Sequence, residues 1–212
     1  MPSEKYVLGS GALLAWALAG WAEIEPQTQL HAIDIGQDKD YRFDLAALQG
    51  ASPETATAFV AWGPQFLNFR RLELMGELKG RGFRLPPLVC RGALVASGVA
   101  VGENCSIGAG SIVGADSKIA FNTVIGAGCI VGTGVQIGAS AWIADGVQIG
   151  AAARIGANAT LGRGVILEDG IAIGKQAVLD LPGRRATPLA DKTFITPAFP
   201  TAVTIVDGGG PI

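Results

Sequence analysis

The stretch Ile119-Ala-Phe-Asn-Thr-Val-Ile125-Gly-Ala-Gly-Cys-Ile-Val131-Gly-Thr-Gly-Val-Gln-Ile137 decides how this chain folds. An aliphatic residue returns every six positions. The same step continues in both directions, through Val113, Ile107, Val101, Val95 and Val89 on one side and Ile143, Ile149, Ile155, Leu161, Leu167, Ile173 and Leu179 on the other. All sixteen positions are aliphatic, and the residue after each is Gly or Ala in thirteen cases, Cys90, Glu168 and Asp180 being the exceptions. Four places after each aliphatic stands a small or β-branched residue, among them Ala93, Cys105, Ser111, Thr123, Cys129, Val147 and Ile171. A period of six is divisible by two but not by 3.6, so the aliphatic positions stay in phase only along short strands separated by regular corners. The pattern predicts a parallel β-solenoid over residues 87–183, with the aliphatic residue inside and the small residue letting the next coil stack closely.

If three hexads close one coil, residues 18 apart stack on one face, and the position before each aliphatic residue sorts into three columns. One reads Leu94, Ile112, Ile130, Gln148, Ile166; a second Ser106, Val124, Trp142, Thr160, Val178; the third Ala100, Lys118, Gln136, Arg154, Ala172. Two faces are apolar and one is polar, more exposed apolar surface than a monomer tolerates. A closed homotrimer burying two faces per subunit is the expectation.

Composition narrows the function. The 212 residues carry 16 basic and 18 acidic side chains, a net charge of −2, which argues against nucleic-acid binding. Cys90, Cys105 and Cys129 are odd in number and lack C-x-x-C spacing, so a reducing, cytoplasmic setting is expected rather than a disulfide framework or a structural zinc site. His31 is the only histidine, which rules out a three-histidine metal centre, and no metal is expected. Tyr6 to Ala22 is free of charge, but Gly9, Ser10 and Gly11 interrupt it, which reads as strand, turn and helix rather than a membrane span.

Residues 1–86 lack the hexad. A strand at Lys5 to Leu8, the turn Gly9-Ser10-Gly11, a helix to Trp21 and a strand around Leu30 to Ile35 form a Rossmann-like βαβ unit. Its glycines would let a phosphate approach a helix N-terminus, and Asp34 lies where a carboxylate accepts a ribose hydroxyl. A further strand at Phe59 to Trp62 leads to a helix through Leu78 bearing Arg70 and Arg71. The alternative reading of the turn is a plain strand-to-helix connection, since Leu14 replaces a third glycine.

The repeat [LIV]-[GA]-x-x-[STAVC]-x resembles that of the hexapeptide-repeat transferases. The turn Gly9-Ser10-Gly11, the segment Gly63 through Arg70, Gly82-Phe83 and the entry Leu88-Val-Cys-Arg-Gly-Ala93 are similar to the PglD-like and sialic acid O-acetyltransferase-like sugar acyltransferases. The resemblance implies a left-handed β-helix. It also implies a nucleotide-linked sugar bound near Gly9, Ser10, Gly11, Asp34 and Arg70, and acetyl-CoA or another acyl-CoA as co-substrate along Trp142, Ile155, Gly156, Arg163 and Lys175. A solenoid histidine followed by an acidic residue serves that family as general base. Here Thr133 and Gly134 fall on those positions, Trp142 falls on a second histidine and Leu13 on a histidine of the first turn. A threonine hydroxyl cannot replace an imidazole as base. Asp145 is the substitute to consider, then Asp116, Glu168 and Asp169, all at variable hexad positions.

Residues 184–212 read as a tail rich in proline and glycine, with Gly208 to Gly210 and Pro211 near its end and Arg184 and Arg185 as cations for CoA phosphates. The expected activity is acyl transfer from acyl-CoA to an amino or hydroxyl group of a nucleotide-linked sugar, for surface glycan synthesis. The other expectation is a silent relative that binds the nucleotide sugar or CoA, or acts as a trimeric scaffold.

Overall fold

A computed structural model describes residues 4–36 and 42–205. The uncharged N-terminal run forms strand β1 (Glu4–Gly9) and helix α1 (Gly11–Ile24), followed by β2 (Gln29–Asp34), β3 (Ala56–Ala61) and α2 (Phe69–Gly80). The three strands are parallel in the order β2-β1-β3, with Gly9 opposite both Asp34 and Ala61. β3 is buried along its length, as the middle layer between two helices requires. Leu74, Met75 and Leu78 of α2 cover one side of the sheet, and Leu14, Ala17 and Trp21 of α1 cover the other. No helix among the described residues is long and apolar enough to cross a membrane.

From Leu88 to Leu179 two-residue strands recur every six residues and stack on partners 18 away, giving a prism with three parallel sheets as faces. The first face carries Ser106, Val124, Trp142 and Thr160 outward, the second Leu94, Ile112, Ile130 and Gln148, the third Ala100, Lys118, Gln136 and Arg154. Inward aliphatic residues from Ile107 to Leu179 are almost fully buried, and each such side chain is worth about 1.5–3 kcal/mol. The Gly that follows most of the aliphatics has a steric cause: a Cβ on Gly138 would stand 2.5 Å from the Ala157 amide of the next coil. Beyond residue 183 the segment read as a tail keeps pairing with the prism. Gly183–Arg185 extends the second face, Leu189 bridges to Ile173 on the third, and Thr193–Thr196 extends the first before Phe199–Thr204 folds back antiparallel. Gly208 to Gly210 and Pro211 lie outside the described residues.

At the corner between the third and first faces the left-handed backbone position is filled by Asn104, Asn122, Ser140, Asn158 and Gln176, at φ of 53° to 60°. Asn is among the residues that tolerate this region, and the side chains of Asn104, Asn122 and Ser140 form a ladder. Asn104 donates to Asn122 Oδ1 (2.8 Å) and Asn122 to Ser140 Oγ (2.9 Å). The small domain fastens to this corner. The Val60 amide donates to Asn104 Oδ1 (2.8 Å), and Asn158 Nδ2 donates to the Leu67 carbonyl (2.9 Å). Arg71, fully buried, donates from Nη2 to the carbonyls of Asn122 (3.0 Å), Ser140 (3.2 Å) and Ala141 (3.3 Å).

This docking corrects one expectation. Both apolar columns were assigned to contacts between copies, but the first face is engaged within the chain: Ser106 is buried, Val124, Trp142 and Thr160 are partly buried, and Leu88 and Cys90 pack against α1. Only the second column stays open, with Leu94, Ile112 and Ile130 exposed.

Candidate functional site

Three places on the chain are candidates. The first is the carboxyl edge of the small sheet, where parallel α/β sheets bind ligands. Gly9 ends β1 so close to β3 that a Cβ would lie 2.1 Å from the Ala61 carbonyl, and Gly11 opens α1 at φ +54°. Ser10 is the N-cap in an extended conformation, with its hydroxyl not used as a cap, and Asp34 is exposed beside Gly9. These four expected nucleotide-sugar residues therefore converge. Arg70 belongs to a different surface: it pairs with Glu73, lies 4.6 Å over the Phe43 ring and lines a cavity of about 530 Å³ with Leu45, Glu77 and Arg81, which none of the other four touches.

The second is a crevice of about 430 Å³ where the start of α1 meets the corner between the first and second faces. Ala12, Leu13 and Trp16 form one wall; Val124, Ala127, Trp142 and Ala144 form the other, with Asp145 and Arg163 at the rim. Leu13 and Trp142, 129 positions apart in sequence, thus share one site. Arg71 stands behind Trp142, its guanidinium carbon 5.4 Å from the ring centre. Asp145 is not a free base: Oδ1 accepts the Ala127 amide (3.0 Å) and Oδ2 accepts Arg163 Nη2 (3.0 Å). The same corner device recurs at Asp169, which accepts the Ala151 amide at 2.7 Å, while Glu168 is paired to Arg184 at 3.2 Å.

The third is a trough of about 790 Å³ along the third face. Lys118, Gln136 and Arg154 rise from its floor, and Gly156 and Lys175 edge it. Five stacked strands at about 4.8 Å give it a length of roughly 19 Å. Lys118, Arg154 and Lys175 have no carboxylate salt-bridge partner among the described residues, so the trough presents three cations, with Asp191, whose Oδ1 accepts the Lys175 amide (2.8 Å), as a carboxylate on its edge. Gly156 also has a structural duty, since a Cβ there would sit 2.4 Å from the Lys175 amide.

The expected CoA residues are therefore divided: Ile155, Gly156 and Lys175 line the trough, Trp142 and Arg163 the crevice. Thr133 is exposed at the corner between the second and third faces, across the second face from the crevice, and its carbonyl accepts the Ala152 amide at 2.8 Å. His31 is held on the small sheet, stacked on Tyr6 with centroids 4.6 Å apart and its Nε2 3.5 Å from Glu4. All three cysteines are buried, and burial pushes their thiols up, Cys105 to about 11. Cys105 and Cys129 donate to the carbonyls of Ala120 and Ala144, at 3.0 and 3.1 Å, which fits packing rather than nucleophilic attack. Sequence reasoning took Arg71 only as a residue on a solvated helix face, whereas it is fully buried, and it passed over the Asn104–Asn122–Ser140 ladder.

With its coils closed by three hexads each, the solenoid is a hexapeptide-repeat β-helix of the left-handed type. The family described as hexapeptide repeat of succinyl-transferase matches residues 89–116 and 146–180. Among solved structures, the acetyltransferase domain of PglB from Neisseria gonorrhoeae is 19% identical with a TM-score of 0.80, over 96% of this chain and 100% of that one. PerB from Caulobacter crescentus, solved in complex with CoA and GDP-perosamine, is 21% identical with a TM-score of 0.76, over 90% of this chain and 92% of that one. A histidine-to-alanine variant of the GDP-perosamine N-acetyl transferase from the same organism, in complex with the same two molecules, is 24% identical with a TM-score of 0.80, over 96% and 97%. No curated protein matches by sequence. The shared feature is the whole two-part fold, small parallel sheet and β-helix together.

Proposed function

We propose that this chain is an acyl-CoA-dependent acyltransferase acting on an amino group of a nucleotide-linked sugar, in the cytoplasm and in the service of surface glycan synthesis. The observation that carries the reading is the likeness of both parts at once, over 96% of the chain, to acetyltransferases, one of them bound to CoA and GDP-perosamine. The site's own chemistry supports it. The trough offers an elongated polyanion three cations and a backbone-lined edge, and the turn Gly9-Ser10-Gly11 with Asp34 offers a nucleotide diphosphate a helix start and a ribose acceptor.

The chemistry needs no dedicated base if the acceptor is an uncharged amine. Its lone pair attacks the thioester carbonyl carbon, the tetrahedral oxyanion collapses, the C–S bond breaks and the CoA thiolate takes up the proton released by nitrogen. Thr133 contributes a hydrogen bond, and proximity supplies the acceleration. A hydroxyl acceptor would need a general base that is unprotonated near neutral pH, and the solenoid holds no imidazole, so the amine is the preferred acceptor.

The open second face supports a homotrimer. Its apolar column, Leu94, Ile112 and Ile130, lies between Thr133 on one edge and the crevice on the other. A site using both edges is completed by a neighbouring copy in a closed ring. Light scattering tests this: a mass of three times 21.6 kDa is expected, and a monomer contradicts it.

A second reading has its own observation. The solenoid holds no imidazole, and Asp145 has both oxygens engaged, which favours a silent relative that binds the same two ligands. CoA release from acetyl-CoA, with a panel of nucleotide-linked amino sugars, separates the two. Release that requires both substrates supports transfer, and binding of both without release supports the silent relative.

A further inference from the structure

We infer that the crevice between α1 and the β-helix is an acyl-chain pocket, and that the preferred donor carries a chain longer than acetyl. This rests on the acyl-CoA reading above and goes beyond it. The crevice encloses about 430 Å³ between Leu13 and Trp16 on one side and Val124 and Trp142 on the other. A group the size of a water molecule occupies about 30 Å³, so one methyl group leaves most of this space unfilled.

Its polar atoms are engaged elsewhere. Asp145 accepts the Ala127 amide and Arg163 Nη2, and both side chains stand at the exposed rim rather than inside. The Gly126 and Ala144 carbonyls accept from Ser111 Oγ (2.8 Å) and Cys129 Sγ (3.1 Å), and the amides of Gly126, Trp142 and Ala144 serve the coil ladder. Apart from two indole N–H groups and the remaining Arg163 donors at the exposed rim, little remains inside to satisfy a sugar's hydroxyls, whose burial without partners is costly. A hydrocarbon chain loses nothing there. Arg71, buried behind Trp142, fixes the ring that forms part of the β-helix wall.

The test is a calorimetric series on the full-length protein with CoA, acetyl-CoA, butyryl-CoA and hexanoyl-CoA. Each buried methylene tightens binding by about fourfold, so butyryl-CoA binds roughly 15-fold more tightly than acetyl-CoA. Ala12→Phe and Ala127→Phe, both at exposed positions on the crevice wall, each fill the space; they abolish the gain and leave the affinity for free CoA unchanged. A flat series overturns the inference and leaves the transferase reading standing. So does a gain that survives both substitutions, or substitutions that weaken a nucleotide sugar and spare the acyl series. Absence of any CoA binding overturns the acyl-CoA reading itself.

Discussion

Arg71 of the small domain and Trp142 of the β-helix stack at 5.4 Å, and the same guanidinium spans three carbonyls on two successive coils. This one side chain sets the small domain against the crevice wall. No carboxylate pairs with it among the described residues; carbonyl oxygens and Asn68 Oδ1 (3.2 Å) take its protons. Burial pulls its pKa down to about 9, which still leaves it charged at neutral pH. Replacing it strands the Asn122 and Ser140 carbonyls, while the Ala141 carbonyl keeps the Val124 amide (3.0 Å). Arg71→Ala is expected to lower stability by about 3 kcal/mol or more in urea titrations, and Arg71→Lys to recover only part, because a point charge cannot reach all three carbonyls.

The corner ladder yields a second prediction that separates conformation from hydrogen bonding. Asn122 sits at φ +60° and bonds to Asn104 and Ser140. Asn122→Gly keeps the backbone relaxed and loses the bonds, at about 1–2 kcal/mol. Asn122→Ala loses both and costs about 1 kcal/mol more. Equal losses in denaturant titrations would assign the whole effect to the side chain.

How far the fold was legible follows from these residues. The stacking of Val124 on Trp142 and of Ile112 on Ile130 was readable because a step of six and a stack of 18 repeat the same local chemistry sixteen times. Docking of the small domain on the first face was not, since it depends on single residues far apart, Arg71 with Ser140 and Asn68 with Asn158. A signal was nevertheless present. One corner column is Gly92, Gly110, Gly128, Gly146 and Gly164, another is Asn104, Asn122, Ser140, Asn158 and Gln176. Where glycine gives way to Asn104, Asn122, Ser140 and Asn158 at this left-handed position, each side chain has a hydrogen-bond partner. Trp142 and Arg163 separate from Ile155 and Lys175 for the same reason: position within the 18-residue coil, not nearness in sequence, decides which edge a residue serves.

Cys105 gives a prediction in pH. Burial raises its thiol from 9.0 to about 11 in the folded chain. The unfolded thiol therefore ionises first, and raising the pH from 9 to 11 draws the equilibrium toward unfolding. That stability is fully present below pH 9. Across this window the parent protein is expected to lose on the order of 2 kcal/mol more than Cys105→Ala, in which the raised thiols of Cys90 and Cys129 still titrate; parallel curves for the two would contradict it.

On the third face, Arg154→Glu reverses one of three unpaired cations in the trough. CoA affinity is expected to fall about tenfold, with a difference that shrinks as salt is added. An unchanged dissociation constant in calorimetry would move CoA off this face.

Thr133 bears on the proton. With an amine acceptor and no solenoid imidazole, the rate should climb with pH as the acceptor loses its proton. Thr133→His adds an inflection near the imidazole value of about 6.5 and speeds transfer to a hydroxyl acceptor by about 10²-fold or more.

The most direct measurement of the central claim is thiol release from acetyl-CoA or butyryl-CoA in the presence of a nucleotide-linked amino sugar. Free CoA appearing only when both substrates are present, with the acyl group recovered on the sugar nitrogen, is the predicted result. Saturable binding of both molecules with no CoA released over hours would contradict it and leave a binding protein on a transferase fold.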